Sequence, residues 1–147
     1  MKEEVFKFLS SKTPKLCVLA TASNEAKPQC AVMGYTLTPN LEVILSTDST
    51  SRKWNNLQQN HVVALTFGWS FEEFNIQYEG VAQLVKSGDE YKKCEETYFT
   101  SHPESEEFKG IPETVFIKVK PTWIRLSDYS TTPPRIEELF FNSHYSA

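Results

Sequence analysis

Residues 41–69 read LEVILSTDSTSRKWNNLQQNHVVALTFGW, and how this segment divides decides the fold. Residues 41–47 (LEVILST) form an apolar, β-branched run of strand length, and residues 62–69 (VVALTFGW) form another. Between them Trp54 and Leu57 recur at helical spacing, so a short amphipathic helix runs from the hydroxyl-rich STDSTS to about Asn60. A strand, a polar turn, a helix and a strand follow one another with no glycine before Gly68. Two cations, Arg52 and Lys53, open the helix.

Working outward, residues 30–38 (CAVMGYTLT) are a strand separated from 41–47 only by Pro39 and Asn40, the spacing of a tight antiparallel hairpin. Residues 16–22 (LCVLATA), 75–85 (NIQYEGVAQLV) and 115–126 (VFIKVKPTWIRL) complete about six strands. Residues 2–11 place Val5, Phe6 and Leu9 on one helical face, ended by Thr13 and Pro14. A third helix starts at Ser87, where Glu90 three residues on suggests a capping box, and carries Tyr91, Cys94 and Tyr98 on one side up to Pro103. Short strands with few helices point to an antiparallel barrel, because closure removes exposed edges. The expected organisation is one domain over residues 1–147, with 129–147 as a C-terminal tail. That tail carries Ile136, Leu139, Phe140, Phe141 and Tyr145, and either folds back on its own barrel or covers a neighbouring subunit.

The chain has 147 residues, 39% of them hydrophobic, enough for one core. Its net charge of -4, with no basic run, excludes the footprint of a general nucleic-acid binder. No stretch reaches membrane-spanning length, and MKEEVFKFLSSK lacks the apolar core of a signal peptide. Three cysteines without a CxxC fit buried thiols in a reducing compartment, so a cytoplasmic location is expected. Five isolated glycines exclude GxGxxG and Walker loops, so a phosphate would need another device.

The quoted stretch offers that device. A helix N-terminus presents unpaired N–H groups and partial positive charge. Arg52 and Lys53 in the first turn worsen that field unless an anion is bound there. Ser49, Thr50 and Ser51 add hydroxyl donors, and an Arg fork beside a Lys point charge completes a phosphate cradle. The plainer reading is one hydroxyl as N-cap with both cations in water. The site's position after a barrel strand favours a ligand.

With these residues in place the chain resembles the FMN-binding split-barrel proteins related to pyridoxamine 5'-phosphate oxidase and the bacterial general-stress flavoproteins. The resemblance spans roughly residues 5–126. It is carried by the order VLATASNEAKPQCAVMGYTL, then LEVILSTDSTSRKWNNLQQNHVVALTFGW, then NIQYEGVAQLV. It implies a mainly β, six-stranded antiparallel split β-barrel that forms a homodimer, with FMN in a groove at the subunit interface. Carried over residue by residue, it places Arg52, Lys53 and Ser51 at the FMN phosphate, and Ser46 and Thr47 at the flavin edge or ribityl chain. Gln29, Cys30, Ala31 and Val32 would lie along the isoalloxazine through main-chain contacts. Gln77 and Asn75 share a strand face, where their amides meet either a flavin ring or solvent. Trp69 and Trp123 are each either core residues or ring caps, and Arg125 faces either the pocket or water.

The expected function is therefore an FMN-dependent oxidoreductase acting on a small molecule, with no catalytic side chain assigned because the flavin carries the chemistry. The alternatives are a flavin-binding or stress-related module without turnover, and a deazaflavin- or haem-binding split barrel. Where true pyridoxamine phosphate oxidases carry an RLHD-type run this chain has TWIRLSDYS; the histidine is missing, so vitamin oxidation is not implied. His61, His102 and His144 lack metal-ligand spacing and read as surface or packing residues. Glu72 and Glu73 are adjacent, so on a strand they point apart and fit a solvated turn better than a glycosidase pair. HPESEEFKG reads as a solvated acidic loop.

Overall fold

A computed structural model describes residues 1–142, so His144 and Tyr145 lie outside the described residues. Helix α1 (Lys2–Ser11) buries Val5 and Leu9, as the i, i+4 spacing of these apolar residues requires. Strand β1 (Leu16–Ala22) pairs antiparallel with β2 (Pro28–Leu37) on one side and β4 (Val62–Phe67) on the other. β4 pairs with β5 (Asn75–Val85), and β5 with β6 (Thr114–Asp128). β6 also pairs with β3 (Val43–Asp48), which returns to β2 and closes a six-stranded antiparallel ring. The expected barrel is therefore present.

Alternation sorts the side chains. Cys17, Leu19 and Thr21 of β1 point inward, and Val18 and Ala20 point outward. Inside, Tyr35, Phe67 and Tyr78 meet edge to face, with centroids 4.9 and 6.2 Å apart. Their polar tips are satisfied: Tyr35 Oη donates to the Leu9 carbonyl at 2.6 Å, and Tyr78 Oη to that of Leu41 at 2.8 Å. Each such burial contributes roughly 2–3 kcal/mol. Gly80 lies at a bulge opposite Pro121, where a Cβ would run into the Lys120 carbonyl.

The ring is uneven. β2 pairs with β3 only over Tyr35–Leu37, and from Pro28 to Gly34 that edge of β2 has no strand partner among the described residues. Helix α2 (Arg52–Gln59) fills the opening with Trp54 and Leu57 buried. It starts at Arg52 because the extended Ser51 caps it, its Oγ accepting from Trp54 N at 3.2 Å.

Several local expectations are corrected. The β2–β3 connection is wider than two residues: Leu41 is a buried turn residue at φ 65°, bracketed by hydrogen bonds between Thr38 and Glu42. Helix α3 (Gly88–Ser101) has Ser87 as N-cap but no side-chain cap bond, and the Glu90 carboxylate accepts from Lys118 at 2.9 Å instead of returning to the cap. Glu73 is not merely solvated; it accepts from Lys12 at 2.8 Å and Trp69 N at 3.0 Å, and Lys12 foremost holds its carboxyl below the usual range. The acidic stretch after α3 forms a 3-10 helix, Pro103–Phe108. The tail folds back on its own barrel as a seventh strand, β7 (Arg135–Phe140), along β6. Cys17 and Cys94 are buried as expected, but Cys30 is exposed.

Candidate functional site

A crevice of about 220 Å³ lies between the unpaired edge of β2 and the start of α2. Its walls are Gln29, Cys30 and Ala31 from β2, Leu19 and Thr21 from β1, and Arg52 and Lys53 from α2. The structure thus brings together both cations and three of the four β2 residues singled out in the sequence. The fourth, Val32, lies beyond on the outer face, 65% exposed.

The cations are held by hydroxyls and amides rather than by carboxylates. Lys53 Nζ donates to Thr47 Oγ1 at 3.4 Å, and Thr47 Oγ1 donates to Ser51 Oγ at 3.2 Å. Neither Arg52 nor Lys53 has an ion pair within 4.0 Å among the described residues. The acid closest in sequence, Asp48, is turned to Thr50, which donates its hydroxyl at 2.6 Å and its N–H at 2.7 Å. Those two bonds, with Lys53 adding a smaller effect, hold the Asp48 carboxyl below its usual range. Two cations without a carboxylate partner, at a helix start, form a site complementary to a dianion.

Ser46 follows Leu45 on β3 and sits on the strand face opposite Thr47, so its side chain is directed away from this cluster. Gln77 lies on the outer sheet face, in a crevice of about 410 Å³ that it shares with Cys30, Ala20, Ala64, Glu79 and Trp123. Asn75 is committed to the β4–β5 loop, its Nδ2 donating to Ser70 O at 2.9 Å. Trp69 stands on that loop, 55% exposed, with Lys12 Nζ 5.8 Å from its ring. Arg125 lies opposite Gln77 and Glu138 on the outer face, its Nε buried without a hydrogen-bond partner among the described residues.

A third crevice, about 470 Å³, lies at the other end of the β1–β2 hairpin beside Gly34, Tyr98 and His102. His102 is a packing residue: it stacks on Tyr98 at 4.4 Å and its Nε2 is 2.6 Å from the Tyr35 carbonyl. Among the described residues no cluster of His, Cys, Asp or Glu is arranged for a metal ion, and no helix is long and apolar enough to cross a membrane.

Sequence reading missed a buried polar chain behind the first crevice. Asn56, 6% exposed in the middle of α2, lies 3.1 Å from both Thr21 Oγ1 and Gln29 Oε1. Turned over, the Gln29 amide presents its oxygen to Arg52, whose Nε donates at 3.0 Å with Nη2 also in contact. Arginine is only a donor, so this is the orientation that satisfies it. The Gln29 NH₂ then faces the Asn56 amide at 3.1 Å, and that amide lies at the same distance from the Thr21 hydroxyl oxygen. The available signal was a polar residue at an inward position between Trp54 and Leu57.

A six-stranded antiparallel barrel parted along one seam, with a helix start in the opening, is a split barrel. The pyridoxamine 5'-phosphate oxidase family model matches residues 1–128, and the chain belongs to that family. A pyridoxine/pyridoxamine 5'-phosphate oxidase of Ehrlichia chaffeensis is 29% identical over 92 residues, covering 63% of this chain but only 44% of that protein. The chain therefore spans less than half the length of this curated relative. The fold is similar to that of a haem binding protein from Mycobacterium smegmatis, with a TM-score of 0.77 and 14% identity over 95% of this chain and 58% of that one. It is also similar to a pyridoxamine 5'-phosphate oxidase-related, FMN binding protein from Nostoc punctiforme, with a TM-score of 0.69 and 13% identity over 95% and 94% of the two chains.

Proposed function

We propose that this chain is an FMN-binding oxidoreductase acting on a small molecule, with the FMN phosphate held by Arg52, Lys53 and the Ser51 hydroxyl. The observation that carries this reading is the pair of adjacent cations, free of carboxylates, at the mouth of the crevice beside the unpaired β2 edge. That edge, from Gln29 to Val32, offers main-chain donors and acceptors to a flat polar ring, and the small side chains of Cys30 and Ala31 allow close approach. Thr47 adds a hydroxyl at the β3 end, and Ser46 only its main chain. Bound FMN supplies the hydride or electron transfer; the protein binds, orients and shields it. Family membership and the Nostoc relative support FMN, and the Mycobacterium smegmatis relative makes haem the ligand to test against it.

The working form we propose is a homodimer built on the outer sheet face. There Val18, Ala20, Cys30, Val62 and Ala64 form neighbouring rows across β2, β1 and β4, and Trp123 and Phe140 form another across β6 and β7, with Gln77 and Glu79 of β5 between them. Val62 is 65% and Phe140 76% exposed, a sheet face of the kind that a second copy covers. A dimer on this face places Gln77 and its crevice at the subunit boundary beside Cys30.

Fluorescence-quenching titration with FMN, riboflavin, a deazaflavin and haem tests the ligand. The expected order puts FMN first, and saturation by haem or deazaflavin but not FMN overturns it. Stopped-flow mixing of the flavin-loaded protein with NADH or NADPH tests turnover. Sedimentation velocity tests the dimer, with Val62→Glu expected to yield monomers.

A further inference from the structure

We propose that Asn56 is a positioning residue that aims the Arg52 guanidinium at the bound phosphate by way of Gln29, and so sets the preference for phosphorylated over unphosphorylated ligands. The proposal rests on the phosphate reading given above. Asn56 does not line the crevice, and it is 6% exposed between the buried Trp54 and Leu57. An amide in such a place is unfavourable unless partnered, and an apolar residue would seal this end of the barrel with no such demand. Its partners explain its presence. Thr21, 4% exposed, anchors the Asn56 amide at 3.1 Å, and Asn56 in turn meets the Gln29 amide at 3.1 Å.

Gln29 stands on the stretch of β2 with no partner strand on that side, so it has no sheet neighbour there to fix its rotamer. Arg52 is the first residue of α2, where the helix field repels a cation and favours its swinging into water. The Gln29 oxygen holds Arg52 Nε at 3.0 Å and thereby opposes that swing. A chain from a buried hydroxyl through two amides to a guanidinium thus transmits rigidity from the barrel core to the one fork-shaped donor in the crevice.

The test measures dissociation constants for FMN and riboflavin with the wild-type protein, Gln29→Ala, Asn56→Ala and the double variant. Asn56→Ala is expected to weaken FMN about tenfold and riboflavin less than about twofold, as loss of one charge-assisted contact implies. The double variant should bind FMN no more weakly than Gln29→Ala alone, because both changes break one chain. Equal losses for the two ligands, or losses that multiply in the double variant, overturn the positioning role. Should Asn56→Ala fold poorly, Thr21→Val removes the anchoring oxygen at nearly constant volume and must show the same selective loss. A wild-type protein without preference for FMN over riboflavin overturns the phosphate reading itself and the proposal with it. A wild-type preference that survives in Asn56→Ala overturns only the positioning.

Discussion

The two seams of the barrel are built to different ends. β5 and β6 pair along the whole of β5, from Asn75 opposite Ser127 to Val85 opposite Phe116, and Ile117, Val119, Ile124 and Leu126 along β6 are fully buried. β2 and β3 pair over Tyr35–Leu37 only, and the space beyond is filled by a helix carrying two cations without carboxylate partners. One seam spends its polar groups on the ladder; the other leaves main-chain groups and charges for something else. Stability and binding should therefore respond to different substitutions. Ile124→Ala should cost about 3–4 kcal/mol in chemical denaturation, the usual range for emptying a buried aliphatic site. The FMN-to-riboflavin preference of the folded fraction should not move, and a tenfold change in it would break the contrast.

At the open seam the expected effect is slightly smaller and falls on the other observable. Arg52→Ala with Lys53→Ala should weaken FMN binding by about 3 kcal/mol, on the order of a hundredfold. Unliganded stability should stay level or rise by a few tenths of a kcal/mol, since cations in a first helical turn are unfavourable. An affinity within about threefold of wild type would show the cradle to be misassigned.

The barrel interior and the cradle also differ in pH response. Burial pushes the Cys17 thiol in β1 up to about 12 from an ordinary 9.0. The folded state keeps this proton more tightly than the unfolded chain. Its contribution is thus whole below pH 9 and is lost between pH 9 and about 12, at up to about 1.4 kcal/mol per pH unit. Unfolding free energies from urea curves between pH 8 and 10.5 should fall less steeply in Cys17→Ala than in wild type, the remaining slope coming from Cys94, whose thiol burial pushes up to about 11. Asp48, beside the cradle, runs the opposite way: its lowered carboxyl favours the folded loop above the ordinary value of 3.8, and that support is lost on acidification.

Much of the closed seam was legible in the sequence, because long strands with a strict inward and outward alternation announce themselves. NIQYEGVAQLV was bounded at Asn75 and Val85, where β5 begins and ends. β7 was hidden because TTPPRIEELFF carries three charges, Arg135, Glu137 and Glu138, spread over both faces of the strand. Leu41 reads as strand by composition, yet its burial under the Tyr78 hydroxyl holds it in a left-handed turn that β-branching rules cannot foresee. In the candidate site, residue types were readable and geometry was not. Ser46 and Thr47 look equivalent as neighbours, but alternation directs only Thr47 toward Ser51 and Lys53. Asn56 was passed over because polar residues of an amphipathic helix are ordinarily assigned to its wet face.

Ser51 belongs to both regimes, and it offers the smallest and sharpest discrimination between them. Its Oγ caps α2 through Trp54 N and accepts from Thr47, so Ser51→Ala should remove about 1 kcal/mol of stability and weaken FMN at once. That result alone cannot divide capping from anion binding. Ser51→Asp divides them: aspartate caps as well as serine, and its charge suits both the helix start and the neighbouring Arg52 and Lys53. The unliganded protein should lose nothing or gain a few tenths of a kcal/mol in a denaturation curve. The same carboxylate would occupy the cations and repel a phosphate, so FMN affinity should fall at least tenfold while riboflavin, lacking the phosphate, is spared. If FMN binds Ser51→Asp as well as wild type, the two cations do no more than face solvent, and the open seam has no anionic ligand.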